Sequence, residues 1–116
     1  MADTTLLLDL AIGGTSIYFT NANSGAVSRV ARSGGPASML FTPPANQSIY
    51  ATGIAVDDQL VYWASCKAGT FAILGSPLGG GAAKTLASGQ DRVFDVSVDA
   101  THVYWTTHDS VLRIRK

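Results

Sequence analysis

The sequence has little charge and lacks a long apolar segment. Its 116 residues contain 8 basic and 8 acidic side chains, so the formal net charge is zero, and 14% of the residues are charged. A balanced chain has no net electrostatic attraction for nucleic acid or an anionic membrane, so we expect neither partner. No apolar run approaches the ~20 residues that cross a bilayer. The first ten residues carry acids where a signal peptide has a basic segment, so we expect no anchor and no export signal.

Cysteine is almost absent as well. Cys66 is the single one, which excludes an internal disulfide and a cysteine-based zinc site. The redox compartment, and with it the localisation, stays open. Because 47% of the residues are hydrophobic and the mean hydropathy is +0.21, the chain is not disordered. Its length fits one domain over residues 1–116.

A motif recurs three times along the chain. Segment 10–20 (LAIGGTSIYFT) aligns without a gap with 54–64 (IAVDDQLVYWA) and with 96–106 (VSVDATHVYWT). The tyrosines of the three copies mark the register and lie 44 and 42 residues apart. We therefore divide the chain into repeats at approximately 8–50, 51–94 and 95–116, the third of which stops before its last part.

Each repeat has the composition of four short β-strands. Alternating apolar residues, β-branched and aromatic side chains, and glycine clusters about every 8 to 12 residues are strand and turn signals. In the second repeat they predict strands near 53–56, 60–65, 70–76 and 83–87. No stretch shows the sustained apolar spacing of a helix. We therefore predict an all-β chain.

Neighbouring bulky rings indicate how the sheets pack. Side chains next to each other in a strand point to opposite faces, so Tyr62 and Trp63 place large aromatics on both faces of one sheet, and both faces need cover. Radially stacked sheets provide that cover, and four strands in about 40 to 45 residues is the period of a β-propeller blade. The sequence predicts β-propeller blades, with two complete four-stranded copies and a partial third.

The motifs also carry a family resemblance. Val56-Asp57 followed by Val61-Tyr62-Trp63, and Val98-Asp99 followed by Val103-Tyr104-Trp105-Thr106, resemble the repeats of YWTD-type six-bladed propellers and of bacterial TolB-like or NHL-like relatives. The resemblance covers nearly the whole chain. It implies blades arranged around a central channel whose mouth is lined by loops.

Three blades do not close a ring, because propellers usually have about four to eight. Open terminal blades would leave apolar faces and strand edges in water. We expect the ring to be completed by further sequence or by homo-oligomerisation, with a head-to-tail dimer of six blades as the first choice. Residues 3–7 of a partner could then supply the missing outer strand of the third blade as a clasp. The alternative places residues 5–12 in one long inner strand and leaves the third blade incomplete.

The glycine-rich segment 78–85 is similar to a phosphate-binding loop, but it lacks glycine at Leu78 and Ala83. At the equivalent position the first repeat has Gly34-Gly35-Pro36. We therefore predict a tight hairpin turn that uses positive φ angles.

Candidate ligand-binding residues lie in connections that would face the channel mouth. We place three of them between a fourth strand and the next blade, and three between a second and a third strand. They are Tyr50, Arg92 and Phe94, then Lys67, His108 and Asp109. A purely structural role at the blade edges is the alternative for the first three.

No catalytic residue, metal site or cofactor is assigned. His102, His108, Asp109 and Ser110 contain the side chains of a hydrolase triad, but a triad depends on geometry rather than on proximity in sequence. Two histidines are also few for a metal site. Cys66, beside Lys67 in a predicted loop, has no histidine partner at a recognisable spacing, so we expect an unreactive or buried thiol.

The function expected from these features is a non-enzymatic binding or scaffold module. Loops around residues 46–50, 67, 92–94 and 108–109 would present a central channel to a protein, a peptide or a small polar ligand such as a carbohydrate. One alternative is a propeller enzyme of the lyase or hydrolase type with its site at the channel mouth. Another is an assembling fragment, excised or designed, that has no ligand.

Overall fold

The chain folds into three antiparallel sheets arranged one after another. The computed structural model describes residues 7–22, 24–42, 49–67 and 69–116. The first sheet, blade 1, contains β1 (Leu7–Gly13), β2 (Ser16–Asn21), β3 (Val27–Ala31) and β4 (Ser38–Phe41). Blade 2 contains β5 (Ile49–Val56), β6 (Leu60–Lys67), β7 (Thr70–Pro77) and β8 (Lys84–Gln90), and blade 3 contains β9 (Asp95–Val98), β10 (His102–Thr106) and β11 (Val111–Arg115).

Each sheet is a simple meander whose strands pair in chain order. The described part of the chain has no helix, and therefore no helix that is long and apolar enough to cross a membrane. The prediction of an all-β chain with two four-stranded blades and a partial third is confirmed.

Strand β5 begins four residues earlier than the sequence pattern indicates. Residues 49–51 pair with the end of β6, and the register then shifts between Ala51 and Ile54. Gly53, which the sequence pattern predicts at the start of the strand, therefore lies within this irregularity in its middle.

The first strands of the blades approach one another closely. A Cβ atom added at Gly13 of β1 would lie 2.9 Å from Cγ1 of Val56 in β5, and one added at Gly53 would lie 2.9 Å from Cα of Asp95 in β9. Between blades 1 and 2, the buried Thr20 hydroxyl donates a hydrogen bond to the Thr52 carbonyl at 2.9 Å. These contacts place β1, β5 and β9 side by side along one axis, as the inner strands of a propeller.

The aromatic pairs fill two separate cores between blades. We call the side of each blade that carries Tyr18, Tyr62 or Tyr104 its Tyr face, and the opposite side its Trp face. Trp63 is fully buried between blades 1 and 2, whereas Tyr62, 1% exposed, packs between blades 2 and 3. The two rings of one motif therefore belong to different cores, as the strand alternation predicts.

The outer faces of the three-blade stack are open. On the Trp face of blade 1, Leu10 is 58% and Ile12 57% exposed. Val111, on the Tyr face of blade 3, is 74% exposed. Within the described chain only blade 2 has both faces covered.

The glycine-rich segments are turns, as expected. Gly34 and Gly35 connect β3 to β4, Gly80 and Gly81 connect β7 to β8, and all four have φ between 93° and 133°. The second loop leads into a strand, so it lacks the helix N-terminus that receives a phosphate in a phosphate-binding loop. Residues 3–6 of the predicted clasp lie outside the described residues, and Leu7 begins β1.

We expect Trp63→Ala to lower the free energy of unfolding by about 3 to 5 kcal/mol, because it removes a buried ring and leaves a cavity. The Trp63 ring packs 5.2 Å from the Phe41 ring of blade 1, measured between centroids. Urea unfolding followed by circular dichroism measures the change. Phe94→Ala, which removes a ring that is 53% exposed, is the matched control and should change stability by no more than about 0.5 kcal/mol. Equal losses in the two variants would contradict the placement of Trp63 between blades.

Candidate functional site

In a meander, successive connections alternate between the two ends of the strands, and we call these two ends the edges of the blade. The β2–β3 and β6–β7 connections lie at the same edge as the links from one blade to the next. We call this the mouth edge. The β1–β2 and β3–β4 turns, with their counterparts in blades 2 and 3, lie at the opposite edge, which we call the base edge.

A cleft of about 470 Å³ opens where the three inner strands approach one another. Its walls come from β1, from the irregular middle of β5, from the start of β7, and from the segment that leads into β9. The lining residues are Leu8, Asp9, Thr52, Gly53, Phe71, Arg92, Val93, Phe94 and Asp95. We call it the axial cleft.

Backbone amides hold the two carboxylates of the axial cleft. Asp9 accepts hydrogen bonds from Leu10 N at 2.9 Å through Oδ1 and from Ile54 N at 3.2 Å through Oδ2. Asp95 accepts one from Val96 N at 2.9 Å through Oδ1. These hydrogen bonds orient the two carboxylates. Two fixed acceptors therefore lie on either side of Gly53.

A basic and an aromatic residue also line the cleft. Arg92 and Phe94 precede β9 in the connection from blade 2, and both are exposed. The Phe94 amide donates a hydrogen bond to the Thr106 carbonyl at 2.9 Å, which fixes its backbone to blade 3. The cleft thus combines an exposed ring, a guanidinium group and two carboxylates.

Of the six candidate residues named from the sequence, two line the axial cleft, namely Arg92 and Phe94. The loop assignments of Tyr50 and Lys67 were wrong. Tyr50 belongs to β5, where its backbone pairs with Cys66, and Lys67 is the last residue of β6. Strands β5 and β6 are longer than the alternation of apolar residues indicates, so both residues belong to strands.

His108 and Asp109 lie in the turn between β10 and β11, as expected, but they do not line the axial cleft. His108 Nε2 lies 3.7 Å from Asp109 Oδ2, and both side chains are 67% exposed. A hydrogen bond from the Ser110 hydroxyl and the neighbouring His108 lower the pKa of Asp109. This is the pattern of a solvated turn.

Cys66 lies in β6 and not in a loop, and it is 1% exposed within the core between blades 2 and 3. Its burial agrees with the expectation of an unreactive or buried thiol. Among the described residues, no group of three or more histidine, cysteine, aspartate or glutamate side chains is placed to hold a metal ion.

Seven of the nine described lining residues of the axial cleft are not among the candidates from the sequence. Asp9, Thr52 and Asp95 are those that carry a polar side chain, and Gly53 is the one at the close approach of two strands. A signal was present, because Asp9, Gly53 and Asp95 occupy the same position of the three repeats, one residue before each aligned motif. An acid at this position in two of the three repeats identifies the site once the inner strands are known to meet.

The base edge carries a second recurring polar arrangement. Asp57 accepts hydrogen bonds from the Tyr62 hydroxyl at 2.8 Å and from Leu60 N at 2.7 Å. Asp99 repeats this in blade 3, with the Tyr104 hydroxyl at 2.7 Å and His102 N at 2.8 Å. Each aspartate thereby connects the first turn of its blade to the tyrosine ring on the Tyr face.

Lys116 of blade 3 crosses to blade 2 and completes one of these arrangements. Its Nζ lies 2.6 Å from Asp57 Oδ2, and the two side chains are 21% and 18% exposed. The same Nζ lies 5.6 Å above the Tyr62 ring. Burial alone would raise the pKa of Asp57, but hydrogen bonds from Lys116, two backbone amides and Tyr62 hold it well below its ordinary value. In Asp99 the amide of Thr101 and the Tyr104 hydroxyl lower the pKa in the same way.

Known proteins share this fold at low sequence identity. No protein-family model and no curated protein matches the sequence. A structure of a PQQ-bound aldose sugar dehydrogenase from Streptomyces coelicolor superposes with a TM-score of 0.66 at 15% identity, over 97% of this chain and 45% of the other. The chain therefore spans less than half the length of that protein.

Two further structures align over nearly the whole chain. The computationally designed protein Ika4 matches with a TM-score of 0.54 at 12% identity, over 98% of this chain and 93% of its own. A nidogen and laminin complex matches with a TM-score of 0.44 at 13% identity, over 97% of this chain and 76% of the other. The likeness to the first two structures, at 15% and 12% identity, shows the propeller-type fold alone, and the YWTD assignment stays a prediction from the sequence.

We expect Gly53→Ala to cost about 1 to 3 kcal/mol of stability, because its Cβ would meet backbone atoms that cannot move aside cheaply. Those atoms are Cα of Asp95 and N of Val96, both at 2.9 Å. Gly79→Ala is the matched control, since its Cβ would have no heavy atom within 4 Å. Urea midpoints should fall for the first variant and stay unchanged or rise slightly for the second. A tolerated Gly53→Ala would contradict the close approach of β5 and β9.

The ion pair at the base edge predicts a dependence of stability on pH. Because the pKa of Asp57 is lower in the folded chain than in the unfolded one, its contribution is present above the ordinary value of 3.8 and is lost as the pH falls below it. Urea midpoints at pH 7 and pH 3 should therefore differ less in Asp57→Asn than in the wild type. Asp58→Asn, which changes an exposed neighbour, should retain the full difference. An unchanged difference in Asp57→Asn would overturn the assignment.

Proposed function

We propose that this chain is a non-enzymatic binding module that takes a small polar ligand of the carbohydrate class in its axial cleft. The observation that carries the proposal is the convergence of Asp9, Arg92, Phe94 and Asp95 in one cleft of about 470 Å³. Ligand sites combine an apolar surface with a few well-placed polar groups, and this cleft has both.

The chemistry of the lining favours a sugar over other small molecules. A sugar ring has an apolar C–H face, which suits an exposed phenyl ring such as that of Phe94. Its hydroxyl groups donate to carboxylates and accept from guanidinium, and both kinds of group are present. The two acids and one base leave the lining with a single net negative formal charge, which disfavours anionic ligands.

The residues present also favour binding over catalysis. Among the described residues that line the cleft there is no histidine or cysteine, and backbone amides already donate hydrogen bonds to both of its carboxylates. Cys66 is enclosed in an interblade core. The likeness to a sugar dehydrogenase has no part in the proposal, because at 15% identity it supports the fold alone.

Isothermal titration of the purified chain with a panel of neutral mono- and disaccharides tests the proposal. We expect at least one sugar to bind, and Arg92→Ala and Phe94→Ala each to weaken binding by about tenfold, because each removes a direct contact. Lys84→Ala, which removes an exposed positive charge on the outer strand of blade 2, is the control and should bind as the wild type does. Absence of binding by the wild type, or equal binding by all variants, would refute the proposal.

A further inference from the structure

Repeated backbone hydrogen bonds establish which residues of the three blades are equivalent. Arg32 N donates to the Thr15 carbonyl at 2.8 Å, Leu78 N to that of Gln59 at 3.2 Å, and Lys116 N to that of Thr101 at 2.9 Å. Arg32, Leu78 and Lys116 therefore occupy one position at the base edge of successive blades.

The open Trp face of blade 1 has the composition of the two Trp faces that are covered. In blade 2 the residues Ile54, Val56, Val61 and Trp63 pack against blade 1. In blade 3 the equivalent Val96, Val98, Val103 and Trp105 pack against blade 2. The corresponding residues of blade 1 are Leu10, Ile12, Ile17 and Phe19.

Charges at the base edge are matched across each contact between blades. Where blade 2 meets blade 3, an acid on the Tyr face (Asp57) pairs with a base from the following blade (Lys116). Where blade 1 meets blade 2, both charges are missing, because the equivalent residues are Gly13 and Leu78. At the two open faces both are present again, as Asp99 on blade 3 and Arg32 on blade 1.

We propose that a second copy of this chain covers both open faces, with blade 3 of each copy packed on blade 1 of the other. This continues the contact already made twice within the chain, and it is independent of the proposed carbohydrate site. Two copies give six blades, whereas three copies would give nine, beyond the usual range of about four to eight. Blade 3 supplies three of the four strands that form this contact, β9, β10 and β11. Within the described chain it has no counterpart of β4 and β8, which contribute Leu40 and Phe41 in blade 1 and Leu86 and Ala87 in blade 2.

The repeat equivalence assigns specific contacts to the contact between copies. Arg32 forms an ion pair with the partner's Asp99, as Lys116 does with Asp57. Arg32 also lies over the ring of the partner's Tyr104, as Lys116 lies over Tyr62. Arg29 of blade 1 donates to the Leu78 carbonyl at 3.0 Å, and Arg113 stands opposite Tyr104 as Arg29 stands opposite Tyr18. Arg113 therefore donates to the carbonyl of the partner's Arg32.

Light scattering of the purified 116-residue chain measures the number of copies. The expected molar mass is twice the 12.1 kDa of one chain. A folded monomer at the highest soluble concentration, which would mean that further sequence or another protein covers these faces, overturns the proposal. A discrete assembly of any other number of copies overturns it as well.

Charge variants test the ion pair between copies. Arg32→Glu places two acids together at both contacts of the ring, so the dissociation constant of the dimer should rise at least tenfold, since like charges across an interface are strongly unfavourable. Lys84→Glu is the control for the charge change and should leave the dimer intact. A dimer that Arg32→Glu does not weaken would overturn the assigned contacts.

Mixing two variants separates this contact from a general loss of folding. Arg32→Glu and Asp99→Lys should each be largely monomeric, whereas their equimolar mixture should form a dimer, because one contact is then reversed in sign and the other is native. Circular dichroism checks that each variant is folded. Since Asp99 also holds its own turn, Asp99→Asn provides a second measurement, in which the turn keeps an acceptor for the backbone amides of Thr101 and His102 while the charge and the acceptor for the Tyr104 hydroxyl are lost. Its dimer should be weakened and its β-sheet spectrum unchanged, and failure of both the mixture and this variant would refute the ion pair.

Discussion

Each second strand carries two neighbouring bulky rings that point to opposite sides of its sheet, and the packing of the molecule depends on covering both. Tyr62 and Trp63 of blade 2 enter separate cores, so a single dipeptide joins three sheets. A sheet with rings on both faces cannot leave one face in water without exposing a large apolar area. Stacking against a neighbour on each side satisfies the constraint, and the inner strands can meet closely because glycine occupies Gly13 and Gly53.

The fold was predictable because its determinants are local and repeated. The aromatic pairs, the glycine turns and the regular spacing of the motifs all appear within short windows of sequence, and they predict strands, turns and blades. The extent of β5 was not predictable in this way. Its first residues pair with β6 across a register shift at Gly53, and such a shift depends on the neighbouring strand β9, which is distant in sequence.

The candidate site was predictable only in part, for a related reason. Arg92 and Phe94 precede an inner strand, and their position follows from the blade topology alone. Asp9 and Asp95 converge because consecutive inner strands approach each other, and that approach is a tertiary property. Lys67 and His108 lie at the same edge of the blades but outside the cleft, since topology determines which edge a connection occupies and not how far from the axis its side chains lie.

The order of the two rings gives the stack a direction. In every blade the tyrosine comes first and points toward the following blade, so one end of the described stack always ends in a tyrosine surface and the other in a surface of the Phe19 type. Two identical surfaces, such as two Tyr faces, would make a contact that differs in shape and charge from the contact between a Tyr face and a Trp face within the chain. Blades of this kind can therefore be added in one orientation only, because the opposite orientation would bring two Tyr faces or two Trp faces together.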